Sequence, residues 1–280
     1  MNIPSVMGII NVTPDSFSGD GVLSDSDYVA RAVAQAEAMA VDGADILDIG
    51  GESSRPGAAA VSVNEEIRRV IPVITEIKKK LYSTRIAVDT VKAEVAEKAL
   101  QAGAAIINDI SGLANDARMG KVAARYGAQV VLMHNRAKAD SVSHDDKIGG
   151  QYDAPSYEDV VADVIRDLKT RIDIALEAGI ARNKIILDPG IGFGKTPEQN
   201  LALIAQLGKI KALGFPVLIG PSRKSFIGHA LGASVEERLE GTAACVTVSV
   251  LQGANIIRVH DVKFMARVVK MAAALRDAGH

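Results

Sequence analysis

Cysteine is nearly absent from this chain, with Cys245 the single example. That excludes an internal disulfide framework and points to a reducing compartment, which we expect to be the cytoplasm. Charge of one sign is also missing, since 32 basic side chains face 34 acidic ones for a formal net charge of -2. Such a balance gives no general attraction to nucleic acid or to an anionic membrane, so any anion site must be local. No apolar run approaches the roughly 18 residues that a membrane span needs, and the first residues carry no basic n-region or long apolar h-region. Pro- and Ser-rich linkers are lacking as well, so residues 1–280 are expected to form a single domain. A chain of 280 residues, 48% hydrophobic and 24% charged, is globular in composition and of a size that suits one α/β barrel.

What is present is a repeated unit. In the stretch IILDPGIGFGK at 185–195, three branched apolar residues form a short buried strand, Asp188 ends it, and Pro189 and Gly190 turn the chain outward. A carboxylate at the end of a buried strand is costly unless something donates hydrogen bonds to it. Alone, it equally suits a turn aspartate that caps the next helix. The pattern recurs, however. Strands are expected at 6–12, 45–49, 85–88, 105–107, 128–133, 185–187, 215–219 and 255–259. Helical spacing follows at 28–41, 62–81, 91–102, 115–126, 157–178, from 196 onward, up to about 251, and at the end of the chain. Ser62 with Glu65, and Thr196 with Gln199, are capping-box patterns, the second with Pro197 at the first turn. A long polar loop is expected between 135 and 155. Eight strand–helix units of about 35 residues argue for a parallel (β/α)8 barrel, the TIM-barrel form of the α/β class. A doubly wound open sheet is the alternative.

In a barrel the loops that follow the strands share one rim, and functional residues gather there. The polar residues at these strand ends are Asn11, Ser54, Arg55, Asp89, Asn108, Asp188, Lys224, Arg258 and His260. Asp89, Asn108 and Asp188 offer acceptors and an amide to a neutral, flat, hydrogen-bonding ligand. Arg55, Arg258 and His260 offer charge to an anion, and Asn11 suits a hard cation bridging phosphate oxygens. Lys224 could serve either group. Any one of these residues could simply cap a helix; nine around one rim favour a site.

Other signals carry less. Gly194-Lys195-Thr196 resembles the end of a P-loop, but Pro189 stands where the first glycine belongs, and Asp188 would repel a phosphate. His144-Asp145-Asp146 lies in a charged stretch and reads as a solvated loop rather than a metal site. Lys78, Lys79 and Lys80 complement a helix dipole. Cys245, in an Ala/Val-rich helix, reads as a small core residue.

Almost end to end, the chain resembles the dihydropteroate synthases, which join a pterin to p-aminobenzoate. The resemblance rests on MGIINVTPDSFS from Met7, DIGGESSRPG from Asp48, DPGIGFG from Asp188, SRKS from Ser222 and RVH from Arg258, in order along the chain. It implies a TIM barrel, a Mg²⁺ requirement and a homodimer. Ser54 stands where the family usually has threonine, the segment 18–21 and Pro221 are altered, and 135–155 is longer and more charged than the family pattern.

The resemblance also implies roles. Asp89, Asn108, Asp188 and Lys224 would hold the pterin. Asn11, Arg55, Arg258 and His260 would hold the pyrophosphate, with Mg²⁺ at Asn11 and Ser54 in the same loop as Arg55. Phe17, Pro56, Phe193 and Ser225 would complete the p-aminobenzoate pocket, where sulfonamides would compete. Asp89, Asp188, Lys224 and Arg258 would act on the reacting centre. A pterin-binding methyltransferase domain and a non-catalytic pterin-binding protein are the alternatives.

Overall fold

The structure, a computed structural model, describes residues 3–13, 25–54, 57–138, 141–145 and 147–279. Phe17, Arg55 and Pro56 lie outside them. Eight parallel strands form the sheet: β1 Ser5–Asn11, β2 Ile46–Gly50, β3 Arg85–Asp89, β4 Ile106–Asp109, β5 Gln129–Met133, β8 Ile185–Asp188, β9 Leu218–Ile219 and β10 Ile256–Val259. Their order is β8-β5-β4-β3-β2-β1-β10-β9, and a parallel bridge from Leu187 to Val217 joins the two ends. That bridge closes the barrel and removes the open-sheet alternative. The helices are α1 Asp25–Asp42, α2 Val63–Lys80, α3 Ala93–Ala102, α4 Met119–Tyr126, α5 Val160–Glu177, α6 Pro197–Ala205, α7 Leu207–Lys211, α8 Ser225–Leu231, α9 Leu239–Leu251 and α10 Val262–Ala278. Among the described residues, no helix is long and apolar enough to cross a membrane.

Two cores result from the two faces of the strands. Outward-facing residues such as Ile10, Leu47, Val88, Ile107, Leu132 and Leu187 pack against the helices in one large cluster. Inward-facing residues form a second cluster with one member from each strand: Met7, Ile46, Ala87, Ile106, Val131, Ile186, Leu218 and Ile256. This ring is buried and apolar, and it fills the barrel interior. Because side chains alternate along a strand, the next inward positions lie two residues further on.

Several local expectations change. Ser62 caps α2 by accepting from Glu65 N, but the Glu65 carboxylate is taken by Arg68 and Arg69 instead of returning to the cap. Thr196 and Gln199 do form the full reciprocal box. Residues 115–118 are not helical, because Asp116 accepts from Arg118 N and from Ala93 N and so ties the turn to α3. The seventh barrel strand shrinks to Leu218–Ile219. Within the segment expected as a polar loop, β6 Val142–Asp145 and β7 Gly149–Tyr152 pair as an antiparallel hairpin.

Candidate active site

Two residues beyond the apolar ring, the inward positions become Ile9, Asp48, Asp89, Asn108, Met133, Asp188, Gly220 and Arg258. Five of these eight are polar, and all five are buried or nearly so. Arg258 organises them. Its Nε donates to Asp48 Oδ2 at 2.6 Å and its Nη2 to Asp89 Oδ2 at 2.7 Å, while Asn108 Nδ2 donates to the same Asp48 oxygen at 2.9 Å. Gly220 faces this arrangement, and a Cβ there would make ordinary contact with Arg258 Cβ at 3.6 Å.

Asp188 forms the other half of the ring. Its Oδ1 accepts from Gly190 N at 2.7 Å, so the turn after β8 partly satisfies it. Gly190 must be glycine: its φ is +70°, and a Cβ would fall 1.9 Å from the His134 carbonyl oxygen. Lys224 arrives from the opposite side, just past β9. Its ammonium donates to the Ile191 carbonyl and lies 4.7 Å from the centre of the Phe193 ring. Arg223 sets this approach by taking a left-handed backbone at φ 56° while its guanidinium forks onto Asp261 at 2.6 and 2.8 Å.

Burial and charge oppose each other here. Three carboxylates, Asp48, Asp89 and Asp188, face Arg258 and Lys224, and the buried Lys195 ammonium adds its charge beside Asp188. Burial pushes Asp89 up to about 7, resisted by Arg258 and reinforced by Asp48. Asp188 is also raised by burial, with Lys224 pulling it back. Burial lowers Lys224 to about 8, although Asp188 favours its charged form. Asp48 Oδ1 is buried with no protein partner. A ligand bringing paired N–H donors into this ring would meet acceptors that the protein itself leaves unfilled.

The remaining rim residues fall in different places. Asn11 ends β1 half-buried, and a Cβ on Gly50 would touch both Asp89 Cβ at 3.5 Å and Asn11 Oδ1 at 3.9 Å, so Asn11 borders the ring. His260 is exposed, with Nδ1 3.0 Å from Ser222 Oγ, and that hydroxyl also accepts from His260 N. Phe193 is buried under the rim, and Ser225 begins α8, half-buried. The Ser54 carbonyl accepts from the Tyr152 hydroxyl at 3.1 Å. Arg258 is paired with two buried carboxylates, while His260, two residues further on, is exposed.

Lys195 bears on the P-loop resemblance. It is buried, and its Nζ donates to the carbonyls of Gly190 and Phe193, both at 2.9 Å. Burial lowers it to about 7. The ammonium thus closes its own loop rather than facing a phosphate. His144 and Asp145 sit on β6, and among the described residues no group of three His, Cys, Asp or Glu side chains could hold a metal.

Sequence reasoning missed Asp48 and Tyr152. The first was visible as a lone carboxylate inside an apolar strand, in the same inward phase as Asp89. The second had no signal beyond its place in a long polar segment.

Residues 7–260 match a family model described as "Pterin binding enzyme". The Bacillus subtilis dihydropteroate synthase is 48% identical over 274 residues, which span 98% of this chain and 89% of that protein. A Xanthomonas albilineans dihydropteroate synthase solved with 4-aminobenzoic acid superposes with a TM-score of 0.88 at 42% identity, covering 98% of this chain and 94% of that one. A Yersinia pestis dihydropteroate synthase in a sulfonamide drug complex superposes with a TM-score of 0.87 at 40% identity, covering 98% and 95%.

Proposed function

The chain belongs to the dihydropteroate synthase family of pterin-binding enzymes, and we propose how its own residues carry the reaction of that family. The reaction is a transfer: the amine of p-aminobenzoate displaces pyrophosphate from the methylene of 6-hydroxymethyl-7,8-dihydropterin pyrophosphate, giving 7,8-dihydropteroate. The observation that carries the assignment is the buried polar ring of Asp48, Asp89, Asn108, Asp188 and Arg258, in which Asp48 Oδ1 has no protein partner. A pterin presents an aminopyrimidine edge with adjacent N–H donors, which a carboxylate such as Asp188 accepts in pairs. Asn108 and Lys224 would meet the ring's other polar atoms, and the Asp89–Arg258–Asp48 group would form the wall beside it.

Arylamines are nucleophiles near neutral pH, so a strong general base is not required. The larger demand is electrostatic: as the C–O bond breaks, positive charge grows at the pterin methylene and negative charge on the departing pyrophosphate. Asp89 and Asp188 would favour the first. Arg55, Lys224 and His260 would meet the second. In neutral His260, the tautomer in which Nδ1 accepts from the Ser222 hydroxyl would leave Nε2–H as the donor. Arg258 is held by two carboxylates, and the flat face of its guanidinium would stack on the pterin.

Asn11 fits a Mg²⁺ site of a particular kind. One amide oxygen bordering the ring cannot cage a metal, but Mg²⁺ keeps several waters and takes its remaining ligands from substrate phosphate. The bound ion would supply charge neutralisation for the leaving group.

The arylamine would lie between Phe193, Ser225 and the loops carrying Phe17 and Pro56, and sulfonamides, which share its amine, would compete there. A homodimer is supported by an apolar stripe on α9 and α10, where Val248, Leu251, Phe264, Met271 and Leu275 are all exposed. A lone cysteine suits the reducing cytoplasm. A pterin-binding methyltransferase is less well supported, because the Ser222–His260 and Arg223–Asp261 pairs build a polar outer rim that such a reaction does not use.

The test is direct. Purified protein with the pterin pyrophosphate, p-aminobenzoate and Mg²⁺ is expected to form dihydropteroate and pyrophosphate in equal amounts, to slow strongly in excess chelator and to recover with added Mg²⁺. No dihydropteroate would overturn the assignment, and full activity in chelator would remove the metal role from Asn11.

A further inference from the structure

The hairpin of β6 and β7 is the part of the rim that the family resemblance left undefined, and it is anchored at several points. The Asp145 carboxylate caps its turn by accepting from Lys147 N and Ile148 N at 2.9 and 2.7 Å. At its base, Ser141 Oγ donates to Asp153 Oδ2 at 2.8 Å. The buried guanidinium of Arg238 reaches across to the Ile148 carbonyl at 2.7 Å while also donating to the carbonyls of Arg223 and Ala233. Gln151 Oε1 lies 3.0 Å from His229 Nε2 on α8. A solvated loop would show none of this.

Tyr152 ends the second strand and meets two other rim segments at once. Its ring stacks on Phe193, with centroids 5.9 Å apart and planes 23° from parallel. Its hydroxyl donates to the Ser54 carbonyl at 3.1 Å. The Phe193 ring that it covers is also the one beneath Lys224. Tyr152 therefore ties the loop after β2 to the loop after β8, from a hairpin inserted after β5.

The depth of the pieces decides what it would touch. The pterin acceptors lie deep, two residues beyond the apolar ring. An arylamine attacking a pterin methylene must point its nitrogen down and its opposite end toward the mouth. The contacts that join Phe193, Tyr152 and Ser54 would meet that opposite end. We propose that Tyr152 is a specificity-determining residue: it roofs the arylamine subsite and selects against arylamines extended at the end opposite the amine. This rests on the synthase reading above.

The experiment compares the parent protein with Tyr152→Ala and Tyr152→Phe. Both p-aminobenzoate and an N-heteroaryl sulfonamide are offered as arylamine substrates, and KM for the pterin pyrophosphate is measured alongside. In Tyr152→Ala, KM for p-aminobenzoate is expected to rise about tenfold, and its kcat/KM preference over the extended sulfonamide to fall about tenfold, as for loss of a packed aromatic anchor. Tyr152→Phe keeps the ring and loses one neutral hydrogen bond, so about two- to fivefold changes in the same direction are expected. KM for the pterin pyrophosphate should stay within about twofold, because Asp89, Asn108 and Asp188, the groups assigned to its pterin ring, lie on the barrel strands. An unchanged preference in both variants, or a pterin KM that rises in step, would show that Tyr152 only supports the fold and would overturn the proposal. A parent protein that makes no dihydropteroate would instead overturn the synthase reading, and this inference with it.

Discussion

The eight strands carry two inward rings, one step apart, with opposite chemistry. The lower one, from Met7 round to Ile256, is entirely apolar. The upper one holds Asp48, Asp89, Asn108, Asp188 and Arg258, side chains among the costliest to bury. Backbone geometry is the same for both, so the difference lies in what each ring is for. Filling the barrel stabilises it at about 25 cal/mol per Å² of apolar surface removed from water. Charged groups in the same tube do not gain that way, and breaking one of their pairs is expensive. Their placement is explained by a ligand that completes the hydrogen bonding the protein leaves open.

Removing the organiser of the upper ring gives the largest expected effect. Arg258→Ala strands Asp48 and Asp89 without their shared cation and should cost about 3–5 kcal/mol of stability, as for other buried pairs broken on one side. Denaturant unfolding measures this, and a loss below about 1 kcal/mol would mean that water already screens the ring. The same variant should weaken the hydroxymethyl pterin and its pyrophosphate alike, because the wall beside the pterin is lost.

Next is the pH dependence. Ionised Asp89, near 7, and protonated Lys224, near 8, define the competent free enzyme. Log kcat/KM for the pterin pyrophosphate should therefore rise with pH up to about 7 and fall above about 8, by about tenfold per unit on each outer limb. Lys224→Arg keeps its charge and should lose the alkaline limb while retaining the acid one. Stability should move the other way on the acid side: native Asp89 holds a proton that the unfolded chain, with its ordinary value of 3.8, has already released. The unfolding free energy therefore falls as pH rises between those values, and Asp89→Asn should flatten that slope. A slope unaffected by the substitution would place the proton elsewhere.

The smallest effect is expected at the exposed edge. His260→Ala is expected to remove the hydrogen bond proposed for the pyrophosphate, about 0.5–1.5 kcal/mol, and to leave the hydroxymethyl pterin untouched. Equal losses for the two ligands, measured by calorimetry, would take His260 out of the pyrophosphate site.

Much of this ring was legible in the sequence because strand ends announce themselves. Asp89, Asn108, Asp188 and Arg258 each follow a branched apolar run, and the period of two carries them inward together. Asp48 was harder, since it sits inside its strand, and only alignment with the other strands shows it sharing their layer. The pairing of Arg258 was not legible either, because it depends on that hidden carboxylate. Glu65 carried half of a capping signal and lost the other half to Arg68 and Arg69, long side chains whose reach no local pattern encodes. The hairpin that ends at Tyr152 lacks alternation and owes its form to distant partners such as Arg238.

The contrast between the rings is tested most directly by one paired measurement, of pterin affinity and unfolding free energy in Asp188→Asn and Ile186→Ala. These two residues are neighbours in phase on one strand. Asp188→Asn keeps an oxygen for Gly190 N but turns an acceptor edge into a donor. It should lose about 2–4 kcal/mol of pterin binding, typical of a mispaired charged hydrogen bond, with stability unchanged or slightly raised. Ile186→Ala should lose about 2–5 kcal/mol of stability through the cavity it opens, with pterin affinity preserved. That crossed result is the one expected. If both variants lose affinity and stability together, the two rings are one structural unit, and the division between a filling layer and a binding layer is contradicted.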